Sequence, residues 1–109
     1  MESLTVGDVV LVRFPFSDLS SVKVRPAIIA SISEYDDYIL CQITSKDYGD
    51  RNIVKITNED FSSGNLKIES YVRIAKIFTL SNNLILSTAG KLHTNKFNEI
   101  RSKIIELFN

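Results

Sequence analysis

A chain of 109 residues has room for one compact domain, expected to span 1–109, and for only a modest core that a second subunit would help to stabilise. With 44% hydrophobic and 24% charged residues it has the composition of a globular protein, which excludes a disordered chain. Thirteen Lys/Arg balance thirteen Asp/Glu, and this excludes a broad basic footprint for nucleic acid; any such site must be a local patch.

Gly7-Asp8 introduces the β-branched apolar run Val9–Phe14, and Pro15 stops it; the run predicts a strand buried on most sides. The polar stretch from Pro15 to Val24, with Phe16, Asp18, Ser20, Ser21 and Lys23, predicts a loop. A second strand is expected over Pro26–Ile32, with proline at its start, where a missing N–H costs least. After a turn at Ser33–Asp37, Tyr38–Thr44 alternates as a third strand. Lys46–Arg51 is a polar connection, and Ile53–Ile56 is a short strand. Thr57 or Asn58 is placed to cap one helical turn over Asn58–Phe61. Ser62–Asn65 reads as a loop. Tyr71–Leu80 alternates over a longer stretch, with Val72, Ile74, Phe78 and Leu80 on one face and Lys76 interrupting it. Asn82-Asn83 marks a turn before a short strand at Leu84–Ser87. From Thr94, read as the N-cap, the period changes: Phe97, Ile100, Ile104, Leu107 and Phe108 follow the spacing of an amphipathic helix. The expected fold is mostly β, a curled antiparallel sheet or small barrel with a C-terminal helix packed on it.

Cys41 is the single cysteine and His93 the single histidine, so an internal disulfide and a Cys/His zinc site are both excluded. No metal and no cofactor are expected. The N-terminal residues lack the charged start and apolar run of a signal peptide, and no apolar run is long enough for a membrane span. A cytoplasmic protein without membrane contact is the expectation.

Six segments, spread in order over nearly the whole chain, resemble the MazF/PemK toxin family. Gly7-Asp8-Val9-Val10-Leu11-Val12 leads through Phe14-Pro15-Phe16-Ser17-Asp18 into Val24-Arg25-Pro26-Ala27-Ile28-Ile29. Cys41-Gln42-Ile43-Thr44-Ser45 looks like the family's strand ending in Ile-Thr-Ser. Ser70-Tyr71-Val72-Arg73 and Gly90-Lys91-Leu92 continue the match towards the final helix. The resemblance implies an SH3-like barrel of the MazF/PemK/CcdB toxin type. It also implies a homodimer, an endoribonuclease activity that inhibits translation, and a cognate antitoxin that covers the active groove. By the same resemblance the catalytic roles fall on Arg25 and Thr44. The departure is in the first loop, where Ser20-Ser21-Val22-Lys23 replaces a stretch that is often glycine-rich in the family.

These residues suit the chemistry. Metal-independent cleavage of RNA by its own 2′-hydroxyl requires stabilisation of a crowded phosphorane, and a guanidinium fork binds two phosphate oxygens at once. Arg25 stands before a proline at a loop–strand junction, and Thr44 and Ser45 end a strand where hydroxyls and N–H groups can meet one phosphate. Lys23, Lys46, Arg13 and Arg73 are candidates to position RNA phosphates, with Arg51 and Lys76 as further cations. Plainer roles stand beside these: Arg25 in an ion pair with Asp8 or Asp18, Thr44 as an ordinary strand residue, Ser45 as a turn cap, Cys41 as a small core hydrophobe. A gyrase-inhibiting toxin shares this fold and acts without catalysis, so a topoisomerase poison, or a silent nucleic-acid-binding relative, is the alternative function.

Overall fold

The computed structural model describes residues 3–15 and 22–109. Its strands are β1 (Asp8–Pro15), β2 (Val22–Ile32), β3 (Asp37–Thr44), β4 (Ile53–Ile56), β5 (Phe61–Gly64), β6 (Ser70–Ser81) and β7 (Ile85–Leu92), followed by helix α1 (Thr94–Leu107). Short 3₁₀ turns lie at Asn58–Asp60 and Asn82–Leu84. The seven strands form one sheet in the order β4-β6-β3-β2-β1-β7-β5, every pair antiparallel, curled into a half-barrel with the helix against β6.

Several expected boundaries move. β2 begins at Val22 rather than Pro26, so Lys23, Val24 and Arg25 belong to the strand and pair with Phe14, Arg13 and Val12. Pro26 is tolerated there because the β3 ladder reaches only Ala27, leaving the proline with one flanking strand. The expected loop at Ser62–Asn65 is largely strand β5. It pairs with β7 at Gly64 and Gly90, where the two backbones come so close that a Cβ on Gly90 would lie 2.5 Å from the Ser63 carbonyl oxygen. β7 runs on to Leu92, past the expected Ser87. The residue preceding the helix is His93, not Thr94, and its side chain makes no capping bond; its carbonyl accepts the first helical bond, from the Phe97 N–H at 3.0 Å. The turn after β4 is closed by Asp60, whose carboxylate accepts from the Thr57 N–H at 2.8 Å. Phe16, Asp18, Ser20 and Ser21 of the predicted first loop lie outside the described residues.

Apolar residues fill both faces of the central strands. One cluster joins Val9, Ile28, Cys41, Ile43, Val72 and Ile74 to Ile100 of the helix, with Phe97, Ile104 and Leu107 packed around them. The other joins Val10, Val12, Ala27, Ile29, Leu40 and Leu80, with Tyr38 and Phe78 against them. Val9 and Val10 are both fully buried, as are Ile28 and Ile29. Such continuous apolar runs are what two-sided burial requires.

The expected single apolar face of β6 is wrong in an informative way. Val72 and Ile74 face the helix-side cluster, whereas Phe78 and Leu80 face the other. The ladder with β3 steps from Gln42↔Arg73 to Cys41↔Ile77, so β6 carries an irregularity over residues 74–76. The extra residues exchange the two faces of the strand, and Lys76 falls in that break.

Candidate active site

The β2–β3 register brings the two residues given catalytic roles together. Ala27 pairs with Gln42 at the last rung of that ladder. Arg25 lies two residues before Ala27, and Thr44 two residues beyond Gln42. The ladder stops there, but side chains two apart share a face of a strand, so Arg25 and Thr44 lie just beyond the last rung on the same face of the sheet as Ala27 and Gln42. The row extends across the sheet: Thr44 pairs with Tyr71, and Tyr71 with Lys55 of β4.

Both residues also border one cavity of about 250 Å³ at the end of β2 and β3. Pro26, Ile43, Leu66 and Ile68 provide apolar wall, and Ser45 and Lys67 provide polar groups. Arg25 is half-buried. Thr44 is only 8% exposed, and its Oγ1 accepts a hydrogen bond from the Lys46 N–H at 3.1 Å. That bond fixes the side chain and leaves the hydroxyl hydrogen as a donor for a ligand oxygen. Ser45 is exposed at the turn that follows.

The other expected contacts distribute differently. Lys46 is exposed beside Thr44, with its Nζ 5.1 Å from the Tyr48 ring centroid. Arg13 is exposed and pairs with Val24, which borders the cavity, but Arg13 itself does not line it. Lys23 is exposed and paired with Phe14, on the face of β2 that also carries Arg25.

Arg73 departs most from expectation. Its guanidinium forks onto Asp50, Nε to Oδ2 at 2.7 Å and Nη2 to Oδ1 at 3.0 Å, and its Cζ lies 4.4 Å from the Tyr48 ring centroid. The bidentate bond and the charge of Arg73 hold the Asp50 carboxyl below its usual range, and Asp50 raises Arg73 in turn. An arginine so engaged with an internal carboxylate is a structural brace first, because two of its donors are already committed.

Leu66, Lys67 and Ile68 line the cavity but have no sequence signature, since they reach it only through the β5–β6 connection; Ser70, at the start of β6, also lines it. Asp8, a proposed partner for Arg25, accepts from the Thr5 N–H at 2.8 Å and pairs with Lys91 at 3.4 Å. His93 is exposed and borders no part of the cavity. Among the described residues, no group of three or more His, Cys, Asp or Glu is arranged to hold a metal ion. Among the described residues, no helix is long and apolar enough to cross a membrane.

The comparisons agree with this architecture. The fold is similar to the Mycobacterium tuberculosis toxin MazF-mt6, at TM-score 0.72 and 16% identity over 93% of this chain and 95% of that one. It is similar to MazF from Deinococcus radiodurans, at TM-score 0.75 and 18% identity over 99% and 98% of the two chains. An endoribonuclease from mycobacterial species, solved in complex with its cognate antitoxin, aligns at TM-score 0.74 and 16% identity over 99% and 95%. No curated protein sequence matches. The family model for the PemK-like, MazF-like toxin of type II toxin–antitoxin systems matches residues 5–108. With nearly its whole length matched, the chain belongs to the PemK-like, MazF-like toxin family of type II toxin–antitoxin systems.

Proposed function

We propose that the protein is a sequence-selective endoribonuclease that cleaves RNA without a metal ion and so inhibits translation. The observation that carries this reading is the placement of Arg25 and Thr44, on neighbouring strands and one face, at the rim of a single cavity. In the reaction the 2′-hydroxyl loses its proton and attacks the adjacent phosphorus. The bond from phosphorus to the 5′-oxygen breaks, and that oxygen takes up a proton. The products are a 2′,3′-cyclic phosphate and a 5′-hydroxyl. The Arg25 guanidinium serves the charge that develops on the non-bridging oxygens, and the Thr44 hydroxyl donates to one of them. Ser45, Lys46 and Lys67 lie where they would meet the flanking phosphates, and Arg13 and Lys23 extend that contact along the β1–β2 hairpin.

Membership of a toxin–antitoxin family supports two further parts of the reading: a cognate antitoxin that covers this groove, and a homodimer. The reaction would take place in the cytoplasm, where the RNA is.

The test incubates purified protein with a long RNA in chelator and maps the ends. Cyclic-phosphate and 5′-hydroxyl ends are expected, with resistance when the cleaved position carries a 2′-deoxy sugar. Arg25→Lys should recover little over Arg25→Ala, since an ammonium lacks the planar fork. Activity abolished by chelator, or an Arg25→Ala variant that cuts at the wild-type rate, would overturn the mechanism.

A further inference from the structure

The roles proposed so far concern the phosphate and assign no residue to a base. Beside it lies a group of side chains that the proposed reaction does not use. Tyr48, in the connection between β3 and β4, is 53% exposed. An exposed tyrosine in such a loop would ordinarily sample several rotamers, yet this ring lies against the Arg73 guanidinium, Cζ to centroid 4.4 Å. Arg73 is itself held by the two-bond fork to Asp50, and the two side chains are only 15% and 25% exposed. A cation fixed in this way orients the ring by cation–π attraction at little entropic cost.

The brace stands next to the Arg25–Thr44 row. Gln42 pairs with Arg73 and Thr44 with Tyr71, so Arg73 is the diagonal neighbour of Thr44 on the same face. Diagonal neighbours in an antiparallel pair are about 7–8 Å apart. An RNA phosphate seated at Thr44 would therefore bring an adjacent base to Tyr48. Lys46, which follows Ser45 in the chain, has its Nζ 5.1 Å from the centre of the same ring.

We infer that Tyr48 is a stacking platform for the RNA base next to the cleaved bond, pre-set by the Arg73–Asp50 brace. This rests on the ribonuclease reading above. It makes Tyr48 a binding residue and Arg73 a positioning residue, with Arg73 acting through the ring rather than on a phosphate. Because every base has a π face, the contact holds the substrate without dictating its sequence.

The experiment uses the full chain and an oligonucleotide carrying the cut site mapped in the long RNA. A 2′-deoxy sugar at the cleaved position blocks the reaction, and 2-aminopurine replaces the base on one side or the other of that bond. Wild-type protein should quench the fluorescence on one side only. Tyr48→Leu keeps an apolar cover over Arg73 but cannot stack. It should lose the quench and weaken binding about 5- to 150-fold, while Tyr48→Trp should keep both. In cleavage of the unblocked oligonucleotide the loss should fall on KM. A Tyr48→Leu protein that binds as wild type, or still quenches, overturns the inference; so does a variant impaired in kcat alone, which would mark Tyr48 as structural. Wild-type protein that does not cleave the long RNA overturns the ribonuclease reading instead. A melting temperature within a few degrees of wild type is expected for the Leu variant, given the exposure of the site.

Discussion

Replacing Thr44 by valine keeps the shape of the side chain and removes only its hydroxyl, so it separates catalysis from folding. The structural cost is one hydrogen bond, the 3.1 Å contact from the Lys46 N–H. Such a bond contributes about 1 kcal/mol. In a domain of this size that corresponds to roughly 4–8 °C in Tm. Against a total stability of about 5–15 kcal/mol, the unfolded fraction at assay temperature stays on the order of 0.1% or less. The catalytic cost is of a different order. Removing a donor aimed at developing negative charge lowers the rate about 100- to 1,000-fold, or roughly 2.7–4 kcal/mol of barrier. Unfolding therefore cannot mimic the expected effect. Single-turnover cleavage of a short RNA by wild type, Thr44→Val and Thr44→Ser, with a thermal melt of each, makes the comparison. Valine should be folded and slow by at least two orders of magnitude. Serine, which keeps the hydroxyl and loses a methyl group, should fall within about tenfold of wild type, allowing roughly 1 kcal/mol for the methyl group. A valine variant within threefold of wild type would remove Thr44 from the mechanism, and a serine variant as slow as valine would show that packing, not the hydroxyl, matters there.

Four further outcomes follow from the geometry. Burial pushes the Cys41 thiol up to about 11, and its Sγ lies 3.7 Å from the Ile74 carbonyl oxygen, so native protein should resist maleimide at pH 8 and react once unfolded. The thiol ionises at lower pH in the unfolded chain than in the native one; its contribution to stability is thus complete below about pH 9 and lost towards pH 11, a loss that Cys41→Ala should lessen in chemical denaturation. Asp50 has the opposite sign: Arg73 holds its carboxyl below the usual range, so its contribution is present above that range and disappears as pH falls through the native value, and Asp50→Asn should show a smaller drop in Tm on acidification than wild type. Gly90→Ala should destabilise by about 1–3 kcal/mol in urea unfolding, because its Cβ would meet the Ser63 carbonyl at 2.5 Å and the Phe61 ring at 2.8 Å; unchanged stability would mean that the β5–β7 edge gives way without cost.

What was legible in the sequence was periodic or local. Val9–Phe14, Tyr38–Thr44 and the helix from Thr94 announce themselves by the spacing of apolar residues, and their observed ranges differ by a residue or two at either end. Arg25 and Thr44 are candidates through the segments around them, and the register adds that both stand two residues beyond the same rung. What was not legible depended on pairing between distant segments. Ser62 and Ser63 look like loop residues, and only the close approach of Gly64 to Gly90 makes them strand. The faces of β6 exchange at an irregularity that no local pattern encodes. Lys67 and Ile68 reach the cavity through a connection whose path depends on β5. Arg73 was read as a cation for RNA because the sequence shows its charge but not Asp50, 23 residues away.

Arg73 also resolves the tension between a neutral chain and an anionic substrate. A net charge of zero is an obstacle only if positive and negative groups are mixed evenly over the surface. Here several acids are consumed by cations that serve the fold: Asp50 by Arg73, Asp8 by Lys91, Glu69 by Lys55, and Asp60 and Glu99 by Lys96. Each such pair is close to neutral at a distance and adds little to the field at the cavity. Among the described residues, the wall of the cavity contains Arg25 and Lys67 and no acidic residue. The potential felt by a phosphate is set by the nearest charges, since at 0.15 M salt interactions between exposed groups fade beyond about 8 Å. A chain with balanced totals can thus present a locally positive site, and its binding should weaken with salt as expected for a few phosphate contacts rather than for a long basic surface.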